Sequence, residues 1–345
     1  MRPGARSSTP ASSLIATRSS AGAAAEYSDR TGVYVGSGGG NYENQYDYFP
    51  LFAEARGELP AFGRELANTV NPMWLLRTLP NNVLGHIGIK HGLKGANACI
   101  TNHSVGGTLA VIEASEALRN GEADRAVAVG HETPIEPQMV LYYHGLGLIA
   151  SEMLRPFDAR HDGSLFGEGA GALLLETEAS AAARNAPVLG EVLGGGYACE
   201  AQGLAAIRDD GDGVARAIGQ ALDDAELPPA AVGMIVAHGN GTPQSDVSEA
   251  AALRRGLWRR DAAGRLASSG RSDTRSPPRE SSRPCWRSRR SRATWCPVSR
   301  TSARSMPAAP DWPSRPLRRR RRSKVALVLC RGFAGTNAAL VVRAT

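Results

Sequence analysis

Between about Asp29 and Arg254, short apolar runs of strand length alternate with stretches of helical period. That alternation limits the chain to an α/β architecture with mostly buried strands. Gly32-Val33-Tyr34-Val35-Gly36 and residues 125–130 are rich in β-branched or small apolar positions, and residues 169–175 and 232–237 are continuous apolar runs, the pattern of strands covered on both faces. A helix is expected from about Ser104 to Arg119, with Leu109, Ile112, Ala117 and Leu118 on its apolar side and Asn120-Gly121 as its stop. Near the C-terminus, residues 325–330 and 338–342 flank a Gly-containing turn, which predicts a hairpin.

The alternation fails between residues 256 and 323, which are rich in Arg, Ser and Pro and hold four of the five tryptophans. Residues 259–324 carry 20 Lys+Arg against 4 Asp+Glu, so the remainder of the chain has 20 against 29 and is acidic. The formal charge of +7 is therefore a local property. The basic residues, Arg318 to Arg322 included, show no helical spacing and no interleaved aromatic platform, which argues against nucleic-acid binding. Cysteines 99, 199, 285, 296 and 330 make no metal-ligand spacing, and their odd number argues against a disulfide framework. No run of about 18 apolar residues is present to span a membrane. Residues 1–25 are basic, Ser-rich and without a continuous apolar segment, and are expected to be a disordered start. A cytoplasmic location is expected.

Three groups of motifs recur in fixed order. The first is Arg155-Pro156-Phe157-Asp158 with Asp162-Gly163 and Gly167-Glu168-Gly169-Ala170-Gly171. The second is Ala237-His238-Gly239-Asn240-Gly241-Thr242-Pro243 with Asp246 and Glu249, and the third is Gly332-Phe333-Ala334-Gly335-Thr336-Asn337. In this order and spacing they resemble the β-ketoacyl-[acyl-carrier-protein] synthases, over about residues 26–254 and 324–343. The resemblance implies a thiolase-like α/β fold, two similar βαβαβ-type halves in a five-layered α-β-α-β-α body, with halves expected at 26–178 and 179–345. The N-terminal part is expected to be truncated and the C-terminal half disrupted. It also implies decarboxylative condensation of acyl and malonyl thioesters on acyl carrier protein, no cofactor, no metal, and a homodimer or a heterodimer with another ketosynthase. The alternatives are a non-catalytic chain-length-factor-like subunit and an inactive product of a damaged gene.

In that family a cysteine at a helix N-terminus takes the acyl chain. Family members read roughly G-P-N-L-T-V-S-T-A-C before a helix ending in G-E-A-D, and Gly95 to Ser104 matches without a gap, Gly121-Glu122-Ala123-Asp124 following in place. Ser104 is thus expected at the nucleophile position. Cys99 is the alternative nucleophile, but placing it there requires five extra residues, more than one helical turn. A helix N-terminus lowers a thiol's pKa, whereas a serine hydroxyl requires an adjacent base. His103 is adjacent in sequence and is a weaker candidate for that base, since neighbouring side chains at a helix start diverge. His238 is expected as the catalytic histidine, its alternative being a structural strand-end residue. Phe333 matches the phenylalanine gating the acyl pocket, with Gly332 and Gly335 giving the loop freedom, or else it packs a hairpin; Thr242 is a further substrate-binding candidate.

The family's lysine and second histidine, in a block resembling F-K-W-S-I-G-H-T-L-A-A-S-G, have no counterpart in the chain as read. Codons compatible with residues 267–282, read from one base earlier, give FKWSIGHTLAASGIL. Compensating frame errors near residues 256 and 323 account for the aperiodic segment, which is then expected to be out of frame and disordered.

Overall fold

The computed structural model describes residues 28–39, 46, 48–102, 104–133, 135–257 and 323–345, and the backbone of 14–17. Of the start expected to be disordered, residues 14–17 instead form a strand held between two others, and the rest lies outside the described residues, as do His103 and, save residues 256, 257 and 323, the segment expected to be out of frame. The first half of the chain supplies β1 (Leu14–Thr17), β2 (Thr31–Ser37), β3 (Asn97–Thr101), β4 (Arg125–Glu132) and β5 (Gly169–Thr177). Helices α1 (Phe49–Glu54), α2 (Leu59–Thr69), α3 (Trp74–Thr78) and α4 (Asn82–His91) join β2 to β3, α5 (Gly106–Arg119) joins β3 to β4, and α6 (Pro137–Gly145) follows β4. After α7 (Glu178–Ala183) come β6 (Val188–Cys199), α8 (Asp212–Asp224), β7 (Met234–Val236), α9 (Pro243–Leu257), β8 (Val325–Arg331) and β9 (Thr336–Ala344).

These strands form one hydrogen-bonded sheet in the order β3-β2-β4-β5-β1-β6-β9-β8-β7. Read outward from the centre, each half runs first strand, last strand, penultimate strand, second strand. Parallel pairing of β2 with β3 and β4 is matched by parallel pairing of β7 with β8. The outermost place, taken by β3 in the first half, has no counterpart among the described residues of the second. Residues 258–322 fall at that point of the chain order.

Apolar packing divides the molecule into layers. Helix α5 buries Ala110, Val111, Ile112, Ala114, Ala117 and Leu118 against Tyr34, Ala126, Ala128 and Leu175 of the first half and Val192 and Leu340 of the second. At about 1.5–3 kcal/mol for each large apolar side chain removed from water, this one helix holds both halves of the sheet. On the far face of the first half, Val33, Val35 and Val129 meet Val83, Leu84 and Ile87 of α4. On the far face of the second half, Leu327, Leu329, Ala339 and Val341 meet α8 and α9 through Val214, Ile218, Leu222 and Leu253. The stack is α-β-α-β-α, as the resemblance implies.

Glycine permits the approach of α5 to the sheet. A Cβ on Gly36 would fall 2.0 Å from the carbonyl carbon of Gly106, and one on Gly130 would fall 2.9 Å from the Cα of Gly107. The first turn of α5 thus lies directly on the ends of β2 and β4. The helix starts at Gly106, two residues later than the apolar period indicates, because Ser104 is turned into the left-handed region at φ 65°. The expected strands are present, β7 shorter than its apolar run, and β8 with β9 makes the expected antiparallel hairpin.

Candidate active site

The C-terminal ends of β2, β4 and β7, the start of α5 and the β8–β9 turn enclose a cavity of about 760 Å³. Its lining includes Ser104, Asn102, His238, Thr242 and Phe333. The structure therefore brings together the candidates drawn from three separated motifs. Ser104 is exposed to this cavity and sits where β3 turns into α5, with the Gly106 N–H donating to Asn102 O at 2.8 Å. Ser104 is a non-glycine residue in the left-handed region, which is a strained conformation. Among the described residues no side chain hydrogen-bonds the Ser104 hydroxyl.

Cys99 is placed differently. It lies within β3, half-buried beside Val35 of β2, and does not line the cavity. Burial pushes its thiol pKa up, the opposite of what a nucleophile needs. Of the two candidates, Ser104 faces the cavity.

His238 follows β7 in a turn made by Gly239 at φ 48° and Gly241 at φ 78°. Its backbone N–H donates to Oε1 of Glu249 at 2.8 Å and that of Gly239 donates to Oε2 at 2.9 Å, so one carboxylate of α9 clamps the turn. Glu249 is fully buried, and burial pushes its own pKa up. One turn earlier, Asp246 accepts from the N–H groups of Phe157 at 2.7 Å and Gly241 at 3.2 Å and pairs with Nδ1 of His161 at 2.9 Å. Burial, assisted by the positive charge of Arg331, lowers the His238 pKa to about 4. The imidazole is neutral at physiological pH and can offer an N–H to a developing oxyanion without first losing a proton.

Phe333 stacks on Tyr143 with ring centroids 6.0 Å apart, and Tyr143 stacks on Phe166 at 4.2 Å. The phenylalanine is therefore one leaf of an aromatic stack whose outer members, Phe333 and Phe166, face the cavity. The left-handed positions of its loop are Ala334 (φ 58°) and Gly335 (φ 67°). Gly332 is not among them. Thr242 commits its hydroxyl to Oδ1 of Asn240 at 2.9 Å.

Sequence reasoning assigned no role to Arg331, which closes β8 and lines the cavity while 5% exposed. An arginine ending an apolar strand next to a Gly-rich turn was the available signal. Glu249 was visible in its motif, but its partner was not. Among the described residues no group of three His, Cys, Asp or Glu side chains is placed to hold a metal, and no helix is long and apolar enough to cross a membrane.

The layered fold with its cavity at the strand ends and at the start of the central helix defines a thiolase-like protein. Two family profiles match: Beta-ketoacyl synthase, N-terminal domain, over residues 15–181, and Beta-ketoacyl synthase, C-terminal domain, over residues 189–272. The chain belongs to the β-ketoacyl synthase family. It is 32% identical over 231 residues to 3-oxoacyl-[acyl-carrier-protein] synthase 2 of Staphylococcus aureus, covering 66% of this chain and 55% of that protein. The chain thus spans about half the length of the curated relatives it matches. Among solved structures, the ishigamide ketosynthase/chain length factor superposes with a TM-score of 0.68 at 21% identity, covering 93% of this chain and 77% of that one. A type II PKS ketosynthase, solved in complex with its acyl-carrier protein, superposes with a TM-score of 0.60 at 20% identity over 92% of this chain and 79% of that one.

Proposed function

We propose that this chain binds acyl and malonyl thioesters of acyl carrier protein and takes part in their decarboxylative condensation in fatty-acid or polyketide assembly. The observation that carries this reading is the convergence of Ser104, His238 and Phe333 on one cavity from three distant motifs. Family membership and the likeness to condensing-enzyme relatives support it. In the catalytic form, the Ser104 oxygen attacks the acyl thioester carbonyl, the carrier's thiolate leaves, and the serine proton passes to that thiolate through solvent. The malonyl unit then loses CO₂; its electron pair forms an enolate whose oxygen accepts a hydrogen bond from neutral His238, and the enolate carbon attacks the acyl ester, expelling the serine oxygen, which takes a proton from solvent to restore the hydroxyl.

A second reading is a chain-length-factor-like subunit that shapes the cavity while a partner ketosynthase does the chemistry. The Ser104 hydroxyl, with no base bonded to it among the described residues, favours this form. Both forms take a second ketosynthase subunit. The edge of β5 at residues 169–173, unpaired on its β1 side among the described residues, supports this, together with exposed Leu141 and Tyr142 on α6, Phe49 and Phe52 on α1 and Leu75 and Leu76 on α3. We assign the boundary between the halves to the end of β5, near residue 178, and the protein to the cytoplasm. The test incubates the purified chain with acyl- and malonyl-carrier protein, alone and with an active ketosynthase. Condensation by the chain alone, with an acyl adduct on Ser104 by mass spectrometry, establishes the catalytic form. A change in product length only in the presence of the partner establishes the second, and no carrier-thioester binding in either arrangement refutes both.

A further inference from the structure

Arg331 is the cation of the cavity wall that the reaction above leaves without a task. Its guanidinium reaches three elements: Nε donates to Oδ1 of Asn337 on β9 at 2.9 Å, Nη1 to the carbonyl of Ser245 in the first turn of α9 at 3.0 Å, and Nη2 to Oε1 of Glu200, just beyond β6, at 2.8 Å. Glu200 in turn donates its backbone N–H to Gly335 O at 2.9 Å, and Asn337 donates its side-chain amide to the same carbonyl at 2.8 Å. Helix α9, held by Arg331 at Ser245, carries the Glu249 that clamps the His238 turn. One side chain thereby joins the loop bearing Phe333 to the turn bearing His238.

We propose that Arg331 is a positioning residue of this site: a fixed, buried guanidinium that registers the His238 turn against the Phe333 loop and holds a positive charge in the cavity wall that His238 shares. The proposal deepens the reading above and rests on it for the purpose of the site. The geometry suits the task. A planar fork with donors fixed at three partners cannot swing away, and a buried cation close to an imidazole disfavours a second positive charge there. The other ionisable groups packed around the turn are Glu249 and Asp246 of α9, Glu200, and His161, which meets Asp246. The carboxylates pull His238 toward protonation, so the low proton affinity of His238 comes from burial and Arg331 together.

The test measures hydrogen–deuterium exchange at the imidazole carbon of His238 in the full chain as a function of pH, with circular dichroism to certify the fold. Wild type is expected to give a midpoint near 4. Arg331→Gln is expected to raise it toward the ordinary imidazole range while burial keeps it below, and Arg331→Lys, which retains the charge, to leave it near the wild-type position. A folded Arg331→Gln protein with the wild-type midpoint, or an Arg331→Lys protein shifted as far as Arg331→Gln, overturns the proposal. Should Arg331→Gln not fold, Arg331→Met, neutral and of similar length, takes its place: a raised midpoint is expected, and a folded Arg331→Met protein with the wild-type midpoint overturns the proposal. A purely structural arginine would lower thermal stability in these variants without moving the midpoint. No substrate enters the measurement, so it stands whether or not the chain condenses thioesters.

Discussion

At the scale of single residues, the candidate site combines a histidine held neutral by burial with a serine hydroxyl that no described side chain hydrogen-bonds. Replacing Ser104 by Cys places a thiol at an exposed helix entrance, where thiol pKa values fall to roughly 3.5–7.5. Ser104→Cys is expected to react with iodoacetamide at neutral pH far faster than Cys99, whose thiol burial pushes up, and peptide mapping of the alkylated protein reads the difference. His238 also makes stability depend on pH. Its folded pKa of about 4 lies below the unfolded value of about 6.5, so the unfolded chain binds the extra proton first. Its contribution is complete above pH ~6.5 and is lost as pH falls toward 4, at a cost of about 3 kcal/mol. Urea midpoints at pH 7 and pH 4.5 should differ in that direction, and the difference should shrink in His238→Gln. Ser104 and His238 were legible as positions because ordered motifs surround them. The partners of Glu249 and Arg331 were not, because those contacts, Arg331 with Asn337 aside, join residues 10 to 131 apart in sequence and sequence period reports only on neighbours.

At the scale of elements, glycine sets how α5 meets the sheet. Gly36→Ala would drive a methyl group into the Gly106 peptide at 2.0 Å, with backbone rather than a yielding side chain opposite. A loss of about 3 kcal/mol is expected, read by denaturant unfolding. Gly39, at φ 148° with no neighbour near its Cβ position among the described residues, shows no such packing clash there, and its substitution would report backbone preference. The buried strands were readable because residues covered on both faces are continuously apolar, and the hairpin because its turn is Gly-rich. The start of α5 was misjudged by two residues because helical period cannot see a left-handed residue. The burial of α5 between two sheet halves, rather than against one, follows from strand order, which no local pattern encodes.

At the scale of the whole molecule, exposed apolar side chains on α1, α2, α3 and α6 and the edge of β5 at residues 169–173, unpaired on its β1 side among the described residues, suit the second subunit proposed above. Leu141→Asp, at a position 72% exposed in this chain, should leave the fold intact and weaken self-association or pairing with a ketosynthase. Analytical ultracentrifugation of the variant alone and in mixture measures both. A face of this composition is costly to leave in water, so the chain expressed without a partner is expected to be less soluble than with one. The central position of β1 has a mechanical consequence. Its four residues pair with β5 on one side and β6 on the other, and they alone carry main-chain hydrogen bonds from one half of the sheet to the other among the described residues. Under tension they act as a splint. Pulled apart through its two halves in a single-molecule force experiment, the intact chain should yield by shearing β1 out at one sharp rupture, whereas a chain beginning at Thr31 should part at lower force, resisted by the grip of α5 and by the contacts of Asp246 with Phe157 and His161.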